Sequence, residues 1–190
     1  TGTGQGDRLC LMADPVSFIH DLRWNDLPPK VQERTVLCML DLCGVGIGGA
    51  DLPAARIIAG HAQSQFGGSL CLPFHSGTAS AAGVALAAGC TIDALDGHDG
   101  HNLTKGHVGC GSLAGILGLA QHCGVSEGEE VLTALALGYE LGTRLGASLH
   151  ASVPDYHTSG AWVAIAAAGI GARMMGLDRN ATRHALGIAE

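Results

Sequence analysis

Glycine supplies 30 of the 190 residues, about twice its usual share, while phenylalanine, tryptophan and tyrosine together make up only 4%. The glycines lie inside apolar runs with Ala, Leu and Val, as in Ala-Ala-Gly-Val-Ala-Leu-Ala-Ala-Gly-Cys from Ala81 to Cys90. They show neither the collagen period nor the Pro and Ser enrichment of low-complexity chains. Few large rings are available to fill an interior, so the backbones themselves must come close together, as they do in helices that meet through small residues. With 47% hydrophobic and 14% charged residues, the chain has enough apolar side chains for one core and too few charges for a disordered segment or a coiled coil.

The spacing of apolar residues is helical almost throughout. Asp14 and Pro15 open a first helix as N-cap and first-turn residue, running to Leu22. A turn at 24–29 leads to a helix over 30 to about 45, with Val31, Val36, Leu37, Leu40 and Leu42 on its apolar positions, ending in glycines. Further helices are expected at 53–65, 78–91, 109–122 (closed by Gly124), 129–149, 158–175 and 179–189. One short strand is credible, at 69–72 before Pro73, and one strand makes no sheet. The expected fold class is therefore all-α: a domain of about eight helices over 14–190, preceded by a flexible leader at 1–13. The last helix lacks a closing glycine, so the expectation is a chain that continues beyond residue 190.

The formal charge is −7 and no basic run exceeds a pair, which argues against a nucleic-acid partner. No apolar stretch reaches the roughly 18 uninterrupted residues of a membrane span, and no signal-peptide layout is present in the first residues. The expectation is a cytoplasmic protein with no membrane partner. Cysteines at 10, 38, 43, 71, 90, 110 and 123 form no C-x-x-C pair, and read as buried packing thiols of a reducing compartment. The string Gly44-Val45-Gly46-Ile47-Gly48-Gly49 matches G-x-G-x-x-G, but helix rather than strand precedes it and no carboxylate follows at the required distance. It reads as a helix terminus.

Polar chemistry concentrates in one stretch, Asp93 to His107, which holds Asp93, Asp96, Asp99, His98, His101, His107 and Lys105 between the two most apolar helices. Three readings compete on the residues alone. His98, His101, His107 and the aspartates suit a metal, although their spacing matches no closed ligand set and Lys105 opposes a cation. An imidazole and an ammonium suit acid–base work on a carboxylate substrate. A solvated loop capping glycine-broken helices is the plain alternative. A second polar loop, Val153-Pro154-Asp155-Tyr156-His157-Thr158-Ser159-Gly160, also joins two apolar helices.

These loops and their surroundings resemble the MmgE/PrpD family, which includes 2-methylcitrate dehydratase, cis-aconitate decarboxylase and iminodisuccinate epimerase. The resemblance rests on Asp41-Leu42-Cys43-Gly44, on Ala94-Leu95-Asp96 with Asp99 and Gly106-His107, and on the Gly-Tyr-Glu segment between Ala134 and Gly146. It continues through Tyr156-His157-Thr158-Ser159-Gly160 and the stretch from Met174 to Ala189. It implies the first part of an all-α domain whose cleft is completed by a second, α+β domain. It also implies His107 and His157 as the catalytic histidines, Asp96 as the acidic residue opening the loop, and Asp99 as the second aspartate of the family's D-x-D-D.

Two departures stand out. Gly97-His98-Asp99-Gly100 replaces the commonest D-F-D-D-T continuation, and Lys105-Gly106-His107 is closer to epimerase-like members. The resulting expectation is an enzyme with no cofactor and no metal, acting on a small polycarboxylate by removing a proton next to a carboxylate. Catalysis would fall to His107, His157 and Asp96, and substrate binding to Lys105, Asp99, His101 and Thr104. Loss of water or CO2, epimerisation by the same two histidines, and an inactive helical interaction module are the outcomes left open. A homodimer is expected from the family.

Overall fold

The structure, a computed structural model, describes residues 14–190. Among the described residues eight α-helices follow in order: α1 Pro15–Asp21, α2 Pro29–Gly49, α3 Pro53–Gln65, α4 Ala81–Asp93, α5 Gly109–Cys123, α6 Gly128–Ser152, α7 Gly160–Met174 and α8 Arg179–Ala189. The all-α expectation holds. The leader assigned to 1–13 lies outside the described residues.

Each helix begins where its sequence allows. The Asp14 carboxylate accepts from the backbone N–H groups of Val16 and Ser17, Ser80 caps α4 through Gly83, and Asp178 caps α8 through Ala181. Proline occupies the first turn of α1, α2 and α3, where a missing N–H costs nothing. Gly124 closes α5 in the left-handed conformation, φ 68°.

Two local expectations need correction. The second helix does not stop near residue 45 but runs through Gly44–Gly49 as one 21-residue helix. Its glycines serve close approach: a Cβ on Gly46 would lie 2.6 Å from the Phe74 ring, and one on Gly49 would lie 2.5 Å from the Thr91 carbonyl oxygen of α4. The fourth helix begins at Ala81 rather than 78, because Thr78–Ala79 forms β2 and pairs antiparallel with β1, Leu70–Cys71. The Gln121 side chain of α5 clamps this small ribbon by bonding both the N–H and the C=O of Cys71.

The core gathers Leu42, Ile92, Leu113, Ile116, Leu135 and Ile170 from α2, α4, α5, α6 and α7, all without solvent exposure. Glycine sets the spacing between these helices. On α5, a Cβ on Gly118 would sit 2.6 Å from the Ala81 carbonyl oxygen of α4. Gly138, Gly142 and Gly146 recur every fourth residue on one face of α6. Into that face pack Ser112, Val108 and Thr104 respectively, with the buried Trp162 of α7 lying over Gly142 and Gly146. The glycine stripe thus forms the bed on which the end of the 94–108 loop lies.

Polar ties fix α1 and α8 to this body. Arg173 on α7 holds Glu130 through two bonds of 2.7 and 2.9 Å and donates to the Ile19 carbonyl, while Arg179 holds Asp21 and His20 meets Thr182 at 2.8 Å. The six described cysteines are all free, but Cys71 and Cys123 are exposed and the others half-buried, so the expected burial is only partial. Among the described residues no single helix is both long and apolar enough to cross a membrane; α2 and α3 meet that condition only together, bent by 93°.

Candidate active site

The 94–108 loop leaves the end of α4 and returns to the start of α5, two helices in close contact, so it must reverse sharply. It does so at two residues with left-handed backbone, Asp96 (φ 48°) and Lys105 (φ 51°), a conformation that costs a non-glycine residue about 1–2 kcal/mol. Around the second of these His101 and Gly106 pair as an antiparallel bridge, and the Lys105 N–H and the Thr104 hydroxyl both donate to the His101 carbonyl. This knuckle swings His107 toward the second polar loop.

Contact between the two loops is direct. The His107 backbone N–H donates to Ser159 Oγ at 3.0 Å, and the Tyr156 hydroxyl donates to the Lys105 carbonyl at 3.4 Å. Gly106 makes this possible, since a Cβ there would fall 2.2 Å from Ser159 Oγ and 3.0 Å from the Trp162 ring. His107 and His157, fifty positions apart in sequence, therefore stand on adjoining segments.

His107 is the most constrained side chain of the site. Its Nδ1 bonds the backbone carbonyl of Asp99, and a carbonyl can only accept, so in the neutral ring Nδ1 carries the proton. Nε2 then keeps its lone pair and lies 3.7 Å from Asp96 Oδ1, with the side chain 30% exposed. Asp96 itself is largely exposed. His98 lies against His107, with ring centroids 4.3 Å apart at 42°.

Asp99 sits behind this pair. Burial is the main influence raising its carboxyl above the usual carboxylate range, opposed by His98, the Gly109 N–H, Tyr139 and His107. Tyr139 of α6 faces the same point: a Cβ on Gly109 would lie 2.4 Å from its hydroxyl and 2.5 Å from Asp99 Oδ1. Burial first, then the Asp99 carboxylate, pushes the Tyr139 phenol far above its ordinary range, so the hydroxyl stays protonated.

On the second loop, His157 lies 6.3 Å from His150 of α6, ring centre to centre, and Tyr156 stacks on the same His150 at 5.9 Å. Of the residues expected to bind substrate, Lys105 and His101 are exposed at the knuckle, Asp99 is half-buried behind it, and Thr104 is buried on Gly146 with its hydroxyl on the His101 carbonyl. A separate hollow of about 380 Å³, lined by Asp51, Arg56, Gln63, Phe74 and His75, lies at the α2–α3 turn, on residues outside both loops.

Ser159, Tyr139, His98 and His150 carry much of this geometry and were not among the expected site residues. For His98 a signal existed, because it stands inside the D-x-D-D segment; Tyr139 lies in the Gly-Tyr-Glu segment. Ser159 lies in the Tyr156–Gly160 segment, but its part as acceptor depends on His107, more than fifty residues away, and nothing local distinguishes His150, whose part depends on the second loop's fold.

The all-α body thus carries two histidine-bearing loops that touch through His107, Ser159, Lys105 and Tyr156. Residues 15–190 match the MmgE/PrpD N-terminal domain, and the chain belongs to the MmgE/PrpD family. It is similar to the cis-aconitate decarboxylase-like protein oryM of Aspergillus oryzae, at 24% identity over 93% of this chain. The aligned region spans 39% of that relative's length.

Proposed function

We propose that the protein is a lyase of the dehydratase or decarboxylase kind, acting on a small di- or tricarboxylate by removing a proton from the carbon next to a carboxylate. The reading of the family as enzymes of this kind and the similarity to a decarboxylase-like protein support it. The observation that carries it is the state of His107: Nδ1 is committed to the Asp99 carbonyl, which leaves Nε2 partly exposed as a base beside Asp96.

In this reading His107 Nε2 takes the proton, and Asp96 stabilises the imidazolium that forms. The charge left on the substrate is enediolate-like and needs fixed cations and donors around it. Lys105, exposed at the knuckle, anchors a carboxylate, with His101 beside it. His157 returns a proton or protonates the leaving group. Asp99 acts through its carbonyl on His107 rather than through direct binding, and Thr104 holds the knuckle's shape. The reacting step uses these side chains and no metal.

Epimerisation is the second reading, favoured by Lys105-Gly106-His107; the same base then acts and the proton returns on the other face. The substrate is a small polycarboxylate in either case, with no part for nucleic acid or membrane. A homodimer in the cytoplasm belongs to the same reading, and the apolar stripe Val36, Leu37, Leu40 and Ile47 exposed along α2 supports self-association.

The test is His107→Gln in the full-length protein, assayed against cis-aconitate, 2-methylcitrate and iminodisuccinate. Turnover falls by about 10²–10⁴-fold with an unchanged far-UV circular dichroism spectrum, as loss of a general base requires. Turnover that survives the substitution refutes the assignment. If the unsubstituted protein turns over none of the three while folding normally, the helical-module reading gains instead.

A further inference from the structure

Asp93 at the end of α4, His98 in the 94–108 loop and Cys110 in the first turn of α5 converge. One donor atom from each lies within 4.8 Å of the other two. The His98 side chain has no solvent exposure, and neither of its ring nitrogens has a hydrogen-bond partner. Its Nε2 instead approaches Asp93 Oδ1 at 3.4 Å. Buried imidazole nitrogens are ordinarily paired, so an unpaired ring aimed at a carboxylate and a thiol points to a missing partner that all three would share.

We propose that Asp93, His98 and Cys110 bind a zinc-type divalent cation through a carboxylate oxygen, an imidazole nitrogen and a thiolate sulfur. Mixed O, N and S donors suit a borderline-soft ion such as Zn²⁺. Bonds of about 2.0–2.3 Å set donor atoms roughly 3.3–3.6 Å apart in a tetrahedron, so the present spacing closes with small side-chain movement. The two anionic donors balance the ion's charge. Asp93 is 62% exposed, which leaves an entry path and a fourth position facing solvent.

The left-handed turn at Asp96 follows directly after α4 and sends His98 back beneath the loop toward Asp93, which gives that strained residue a purpose. Burial, with Asp93 next, raises the Cys110 thiol to about 11, and a bound cation reverses this by taking the thiolate. Lys105, the cation that argues against a metal in the sequence, is exposed at the knuckle. The ion is structural: it ties α4 to α5 and orders His98, whose ring backs His107. It lies outside the proposed proton transfer and stands independently of it.

Cobalt substitution reads the site directly. Full-length protein, stripped with a chelator and titrated with Co²⁺, should saturate at one equivalent, with a thiolate-to-cobalt charge-transfer band and the visible bands of four-coordinate cobalt, both quenched by Zn²⁺. Cys110→Ser abolishes the charge-transfer band. Asp93→Asn, at an exposed position that leaves the core intact, weakens Co²⁺ binding about tenfold or more, on the scale of losing a group that supports a metal. Absence of the band at saturating Co²⁺, its persistence in Cys110→Ser, or unchanged affinity in Asp93→Asn overturns the proposal.

Discussion

The bed of helices and the pair of loops lying on it obey opposite rules. In the α4–α7 body, side chains such as Leu113, Ile116, Leu135 and Ile170 are fully buried, and glycines on α5 and α6 let backbones meet where a Cβ would collide. In the loops, Asp96 and Lys105 hold left-handed backbone, the His98 ring nitrogens and Asp99 Oδ1 lack hydrogen-bond partners, and three imidazoles stand within ring contact of others. The first region is organised for stability. The second is held in a costly arrangement that the first makes rigid, the pattern expected where strain and unsatisfied polar groups serve binding or catalysis.

Trp162 is where the two regions join, since its ring covers Gly142 and Gly146 and abuts Gly106 of the loop. Trp162→Ala should therefore cost about 3–5 kcal/mol in urea unfolding, the usual loss for a buried large ring, and should disorder the loops as well. A loss confined to the helices, with loop amide protection unchanged in hydrogen exchange, would break the link between the regions.

Two glycines on the same helix sharpen the account of the bed. Gly118→Ala drives a Cβ toward the Ala81 carbonyl oxygen and should destabilise by about 1–3 kcal/mol. Gly115→Ala meets nothing within 4 Å and should stabilise by about 0.5–1 kcal/mol through helix propensity. Equal effects in thermal unfolding would show that composition alone, rather than close approach, explains the glycines.

The smallest expected effect concerns Asp99. Burial raises its carboxyl in the folded state, so its contribution to stability is fully present below the ordinary carboxylate range and is lost as pH rises through the raised value. Asp99→Asn should thus gain stability over the parent at neutral pH, with the gain shrinking on acidification. A gain that grows toward acid pH would mean that Asp99 is held as a carboxylate instead.

The fold was largely readable because helical periodicity and small-residue packing are local signals: the cap at Asp14, the closing Gly124 and the last helix over 179–189 fall where the sequence puts them. The errors share one cause. Thr78–Ala79 became strand, and Gly44–Gly49 stayed helical, because of partners elsewhere in the chain, β1 for the former and Phe74 and Thr91 for the latter. For the site, residue chemistry and resemblance pointed to the loops, and the structure brings the segments bearing His107 and His157 together. The burial of His98, the acceptor role of Ser159 and the left-handed turns at Asp96 and Lys105 arise only when the loop is folded onto α6 and α7, so no local pattern announces them.

The central claim is that the neutral His107 ring keeps its lone pair at Nε2, because its Nδ1–H is held by the Asp99 carbonyl. Long-range ¹H–¹⁵N correlation spectra of the imidazoles in the full-length protein, with His107→Gln to assign the ring, report the tautomer directly. The expected result is that, in its neutral form, the His107 ring carries its proton at Nδ1 and leaves Nε2 bare. A neutral ring protonated at Nε2 would contradict it.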